Sequence, residues 1–206
     1  MKIGVVSDIH CNVLALDAAL KEMGEVDELF CAGDSVYGYR WSNEVFDLLR
    51  MRGAHIVMGN HDYDFLQVHK DRNGSNGHIT PENYRLVAAL PGRIDMELAG
   101  RRILMVHASP FEPYGEYIYP HTPKYNQLST LDADVFIYGH THTAVAEQLG
   151  PVLVVNPGSV GEVRDRARPY FTYAVVDLRS LEAKVRNVHT NLNGATEPGL
   201  PQPSAT

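Results

Sequence analysis

The sequence predicts an α/β fold in which mixed β-sheets carry helices on their outer faces, and three observations predict it. Short apolar runs recur along the chain, each closed by Gly, Asp, Asn or His. Helical patterns separate the runs of the first half, and the second half is richer in strand patterns. The runs are residues 3–6, 28–32, 55–58, 103–106, 135–138 and 152–155, short and apolar as buried strands are.

Between them, Asn12 caps a predicted helix whose apolar positions are Leu16, Ala19, Leu20 and Met23, with Gly24 as its stop. A second helix starts at Ser42 and runs through Val45, Leu48 and Leu49 to Gly53. A third has Thr80 before Pro81 at its first position and ends at Pro91. Residues 93–106 read as a hairpin turning at Ala99-Gly100. Residues 144–188 read mainly as strands with turns at Gly150-Pro151 and Arg179-Ser180.

With 206 residues, the chain is expected to form a single domain over residues 1–189, followed by a flexible tail at 190–206 that has almost nothing to bury. Eighteen basic against 25 acidic side chains give a formal charge of −7, which argues against an extended nucleic-acid surface. Cys11 and Cys31 are too few for a disulfide scaffold. The opening MKIGVVSDIH has no signal-peptide pattern, and no apolar run approaches the roughly 18 residues of a membrane span. A reducing cytoplasm is the expected compartment.

The chemistry lies at the ends of the predicted strands. Asp8 and His10 follow the first, Asp34 the second, and Asn60, His61 and Asp62 the third. His107 ends the 103–106 strand, His140 and His142 the 135–138 strand, and Asn156-Pro157-Gly158-Ser159 the 152–155 strand. In open α/β sheets the carboxyl ends of strands point into the ligand crevice, so distant residues converge there. Imidazole, carboxylate and an amide oxygen are ligands of borderline divalent metals. Asp8, His10, Asp34, Asn60, His107, His140 and His142 make seven candidate ligands, too many for one four-coordinate ion and suited to two ions sharing a carboxylate. Gly33, Gly59 and Gly139 precede them, leaving room for tight turns beside an ion. Singly, each piece has a plainer reading: Asp8 as a helix cap, Asp34 as a turn residue, Asn60 in a left-handed turn, Asp62 as a cap, His107 as a core histidine.

Together, Asp8-Ile9-His10, Gly33-Asp34, Gly59-Asn60-His61-Asp62, His107, Gly139-His140-Thr141-His142 and Asn156-Pro157-Gly158-Ser159 resemble the calcineurin-like metallophosphoesterases, nearest their small bacterial and archaeal phosphodiesterase branch. The resemblance runs from about Met1 to Leu178 and implies a four-layer sandwich of two mixed sheets flanked by helices, with a dinuclear metal site at the sheet edges. It places Asp8, His10 and His142 on one ion, Asn60, His107 and His140 on the other, and Asp34 between them. It makes His61 the acid that protonates the leaving alkoxide. Cys11 stands where many members have Gly, and Ala108 follows His107 where Gly is common. Cys11 suits a small buried hydrophobe, an extra soft donor or an oxidation-sensitive thiol.

The implied reaction is phosphate-ester hydrolysis, diesters preferred, by a hydroxide held between two divalent ions. Manganese is the first expectation, with iron, nickel, cobalt or zinc as alternatives. Asp62, beside His61, is expected to orient it or raise its pKa unless the two neighbouring side chains diverge. Asn12 and Arg164 are candidate substrate ligands, and Arg166 and Arg168 are further cations of the same segment. Phe111, Tyr114, Tyr117, Tyr119 and Tyr125 form an aromatic segment beside His107 that would wall in a nucleotide-like phosphoester or serve a contact between copies of the chain. The competing readings are a phosphomonoesterase or dinucleoside-polyphosphate hydrolase on the same fold, and a non-catalytic metal-binding scaffold.

Overall fold

Parallel strands with apolar faces on both sides build the centre of each sheet in the computed structural model, which describes residues 1–69, 79–112, 115–166 and 168–189. In chain order the elements are β1 (Lys2–Val6), α1 (Val13–Met23), β2 (Glu28–Cys31), α2 (Asn43–Met51), β3 (His55–Ile56), α3 (Asn60–His69) and α4 (Pro81–Ala88). Then come β4 (Arg93–Leu98), β5 (Arg101–Val106), a 3-10 segment (Tyr125–Thr130), β6 (Val135–Ile137), β7 (Val145–Leu149), β8 (Val152–Asn156), β9 (Thr172–Asp177) and β10 (Glu182–Asn187). The first sheet has the order β10-β9-β1-β2-β3, the second β4-β5-β6-β8-β7. β1, β2 and β3 run parallel, as do β5, β6 and β8, and the strands beside each trio are antiparallel. Both sheets are therefore mixed, as the sequence predicts.

The strand period of two sorts each apolar run into two cores. Ile3, Val5 and Phe30 meet Ile103, Met105, Val135, Ile137 and Val155 between the sheets. Their neighbours Leu29, Cys31 and Ile56 turn outward under Leu16, Ala19 and Leu20 of α1 and Val45 and Leu49 of α2. Leu104, Val106, Phe136 and Val154 pack on the opposite outer face against Tyr125 and Leu128.

The three predicted helix starts are capped as read. Asn12 Oδ1 accepts the Ala15 amide at 3.2 Å, Ser42 Oγ that of Val45 at 3.3 Å and Thr80 Oγ1 that of Asn83 at 3.4 Å, each cap worth about 1 kcal/mol. Two features differ from expectation. β3 stops at Ile56 rather than 58, because the Met58 amide leaves the ladder for the Pro91 carbonyl. The helix α3 begins at Asn60, inside the Gly59-Asn60-His61-Asp62 motif and ahead of the Asp62 position read as a cap, and it buries one large apolar side chain, Phe65, too thin a stripe to read as amphipathic. The expected tail at 190–206 lies outside the described residues. Among those described, no helix is long and apolar enough to cross a membrane.

Candidate metal centre

All six parallel strands deliver their carboxyl ends to one edge of the sandwich, where hydrogen bonds between the loops, two of them through side chains across the sheets, hold the ends together. The Gly139 amide donates to the His107 carbonyl at 2.8 Å, the His140 amide to Asp8 Oδ2 at 3.0 Å, and His107 Nδ1–H to the Ala32 carbonyl at 2.6 Å. The last bond fixes the His107 tautomer and turns Nε2 toward Asp34 Oδ2 (3.2 Å) and Asn60 Oδ1 (3.1 Å). Such close approach needs glycine. A Cβ on Gly59 would collide with the Asp34 carboxylate, and one on Gly139 with the Ser7 hydroxyl. Neither glycine has a positive φ, so their role is space rather than the turn geometry expected from sequence.

The donor atoms gather in three groups, each within 4.8 Å internally: Asp8, His10 and His142; Asp34, His107 and His140; and His10, Asp34 and His61. The first two groups correspond to the two ligand sets implied by the resemblance, with Asn60 joining the second through its 3.1 Å approach to His107. Asp8, His10, Asp34, His107, His140 and His142 are buried, while Asn60 and His61 are half-buried. Asp8, His10, Asp34, His140 and His142 all have φ between 50° and 65°, the left-handed region that costs a non-glycine residue roughly 1–2 kcal/mol. Strain of this kind persists only where the surroundings over-determine it, and it clusters at functional sites.

A cation fits this donor set. Nε2 of His10 and of His142 face each other at 3.1 Å, and His142 Nε2 lies 3.2 Å from Asp8 Oδ1. Asp8 Oδ1 and His140 Nε2 are buried without a hydrogen-bond partner, while His10 turns Nε2, not its equally unpartnered Nδ1, toward the group. Buried polar atoms are normally satisfied, and lone pairs converging in a dry pocket call for a positive charge. The protonation states agree. Burial works against the charge of Asp8 and Asp34, yet His142 and His107, respectively, hold the two carboxyls below the usual range. Burial pulls His10 and His140 down to about 4, which leaves their lone pairs free at neutral pH. Burial also opposes the charge on His107, but Asp34 overrides it and raises the imidazole to about 10.

One sequence expectation is corrected. Asp62 does not orient His61: its carboxylate takes the backbone amides of Asp34 (2.9 Å), Gly59 (3.0 Å) and Val36 (3.1 Å). Sitting in the first turn of α3, it binds back to the start of its own helix and fixes the Asp34 loop. Burial and then the Asp34 charge push Asp62 up to about 7. Asn12 caps α1 with Oδ1 and donates one Nδ2–H to the Gly161 carbonyl at 3.3 Å, tying the loops after β1 and β8 together. Arg164 does reach the rim, where its Nη2 donates to Glu162 Oε2 at 2.8 Å.

His61 donates its backbone N–H to Asp34 Oδ1 at 2.8 Å and accepts the Gly38 N–H at Nδ1 at 3.4 Å, and its ring stands edge-on to His10. Cys11 adopts φ 65°; its half-buried thiol donates to the Arg40 carbonyl at 3.2 Å, and burial raises its pKa. Sequence reasoning missed three residues. Ser7 donates to Asp8 Oδ2 at 2.6 Å, Tyr37 stacks on the His10 ring at 4.3 Å between centroids, and Glu162 lies 3.7 Å from His10 Nε2. Of the aromatic segment, Tyr117 lies 3.9 Å from the His140 ring and stacks with Tyr119, while Tyr125 is buried with its hydroxyl on Glu147. Tyr114 lies outside the described residues.

Fold and site together define an α/β protein with a candidate metal centre at the rim of a two-sheet sandwich. The chain belongs to the calcineurin-like phosphoesterase superfamily, whose domain matches residues 1–181. It is 30% identical to an uncharacterized protein of Methanocaldococcus jannaschii, over 95% of this chain and 90% of the relative. Among solved structures it is similar to a metallophosphoesterase from Sphaerobacter thermophilus (24% identity, TM-score 0.73, 92% of this chain and 89% of that one). At lower similarity the fold is shared with an archaeal phosphodiesterase (22% identity, TM-score 0.59, 91% and 99%) and with zinc-bound Vps29 of Entamoeba histolytica (18% identity, TM-score 0.56, 90% of each chain).

Proposed function

We propose that the protein hydrolyses phosphate esters, diesters ahead of monoesters, at a pair of divalent cations held by the seven ligands, manganese being the first expectation. The observation that carries this reading is the convergence of the Asp8–His10–His142 and Asp34–His107–His140 groups around buried, partnerless lone pairs. Asp34, whose oxygens face His107 on one side and the His61 amide on the other, sits where a shared carboxylate belongs. When bound, two such ions bring a water toward neutral pKa and neutralise charge on the phosphoryl oxygens.

The chain supplies the rest. The backbone bonds of Asp62 hold the Asp34 loop against α3, and His107 is locked by Ala32. His61, edge-on to His10 at the rim, would protonate the departing alkoxide from its imidazolium form. Such acid catalysis contributes roughly 10²- to 10⁴-fold. Tyr117, half-exposed beside His140, offers a ring face to a nucleotide-like esterified group.

Rates on bis(p-nitrophenyl) phosphate and p-nitrophenyl phosphate with manganese and other divalent metals test the reaction, and no turnover of either ester with any metal would sink it. His61→Ala tests the acid. Because His61 also stands within 4.8 Å of His10 and Asp34, metal content is measured alongside: retained metal with a loss of at least about 10²-fold supports the acid role, whereas lost metal would make His61 a ligand.

A further inference from the structure

The segment that follows β8 brings a carboxylate to the mouth of the Asp8 group that the ligand set does not need. Glu162 is fixed by its backbone on both sides. Its N–H donates to Ser159 Oγ at 2.8 Å, and its carbonyl accepts from His142 Nδ1 at 3.2 Å. The preceding Gly161 lies so close to the Ile9 carbonyl that a Cβ would not fit, which pins the segment to the β1 loop. The side chain is one-third exposed. Its Oε2 sits 3.7 Å from His10 Nε2 and 3.9 Å from His142 Nδ1, and accepts both the Tyr37 hydroxyl (3.0 Å) and Arg164 Nη2 (2.8 Å). The guanidinium of Arg40 stacks over the Tyr37 ring at 4.9 Å and donates Nη2–H to the His10 carbonyl at 2.7 Å, so it too is committed. A phosphate arriving at the His10 and His142 side of the site therefore meets a fixed negative charge whose nearest cation is already bound to it.

We infer that Glu162 is a specificity-determining residue, a charge filter that admits the singly charged phosphate of a diester and disfavours the doubly charged phosphate of a monoester. The inference rests on the phosphoesterase reading above and gives its diester preference a physical cause. A second negative charge on the phosphoryl group would stand within a few ångströms of Glu162, in a rim where a unit charge shifts binding by roughly tenfold or more. Arg164 tempers the filter: it lowers the cost of the second charge while being held away from the phosphate by the carboxylate.

The test is the ratio of kcat/KM for p-nitrophenyl phosphate to that for bis(p-nitrophenyl) phosphate in the metal-loaded protein at pH 8, where the monoester is a dianion. Glu162→Gln should raise the ratio about tenfold, and Arg164→Gln should lower it. Calorimetric titration of inorganic phosphate into the metal-loaded protein gives a second readout, with binding expected to tighten about tenfold in Glu162→Gln. A ratio unchanged in both variants, or both esters altered alike, would reduce Glu162 to a structural part and overturn the inference. The two readings fail separately. Tighter phosphate binding in Glu162→Gln without turnover of either ester would leave the filter standing and remove the hydrolase, whereas turnover with an unmoved ratio would do the reverse.

Discussion

The interior of the sandwich and the rim at its strand ends are made by the same strands and obey opposite rules. Between the sheets, Ile3, Phe30, Ile103 and Val135 are fully buried and apolar. A few residues further along, the same strands end in Asp8, Asp34, His107 and His140, equally inaccessible to water but ionisable. Of the eight non-glycine residues with positive φ among those described, Ala99 and Leu181 lie in turns between strands, and the other six, Asp8, His10, Cys11, Asp34, His140 and His142, are at this rim. The contrast teaches that burial alone does not stabilise. The interior supplies the free energy of folding, and the rim consumes part of it to hold strained backbone and unsatisfied lone pairs in place for a ligand.

Four outcomes would break or sharpen that contrast, beginning with the largest. Asp34→Asn should lower phosphoester turnover by roughly 10²- to 10³-fold or more, the order lost with one preorganised electrostatic group, while urea unfolding of the metal-free chain loses no more than the His107–Asp34 pairing supplies. A variant that unfolds would mean that the rim, too, stabilises. Phe30→Ala should do the opposite, costing about 3–5 kcal/mol in urea unfolding while the surviving folded molecules keep their metal content.

The third outcome concerns pH. His107, raised to about 10 by its pairing with Asp34, contributes stability that is present below its ordinary value of 6.5 and is lost as pH rises through about 10. His10 and His140, lowered to about 4 by burial, act oppositely, and stability falls as pH drops from 6.5 toward 4. The melting temperature of the metal-free protein should therefore fall on both sides of neutrality, and His107→Gln should flatten the alkaline limb. An alkaline limb that survives this substitution would refute the His107–Asp34 account. Smallest is Cys11→Gly. Relief of the left-handed backbone offsets the lost thiol contacts, so stability should stay within about 1 kcal/mol of the parent in thermal melts, and a larger loss would show that the thiol matters more than its φ.

Most of the fold was legible because apolar runs and capping residues act locally: Asn12, Ser42 and Thr80 each declare a helix start within three residues of the bond they make. The convergence of the seven candidate ligands followed from their places after parallel strands together with the family resemblance. The parts that were not legible depend on direction. Nothing in Gly59-Asn60-His61-Asp62 says that Asp62 turns back to the Asp34, Val36 and Gly59 amides while its neighbour faces His10 and Tyr37. Glu162 was hidden for a related reason. Its importance comes from a contact across more than a hundred residues with His10, and the one local sign was Gly161, whose missing side chain permits the approach.

Anomalous diffraction from manganese-soaked crystals probes the shared centre most directly. The account predicts a pair of peaks, one among Asp8, His10 and His142 and the other among Asn60, His107 and His140, with Asp34 touching both. Manganese bound elsewhere, or a rim that stays without manganese at saturating concentration while the protein still cleaves phosphoesters, would contradict it.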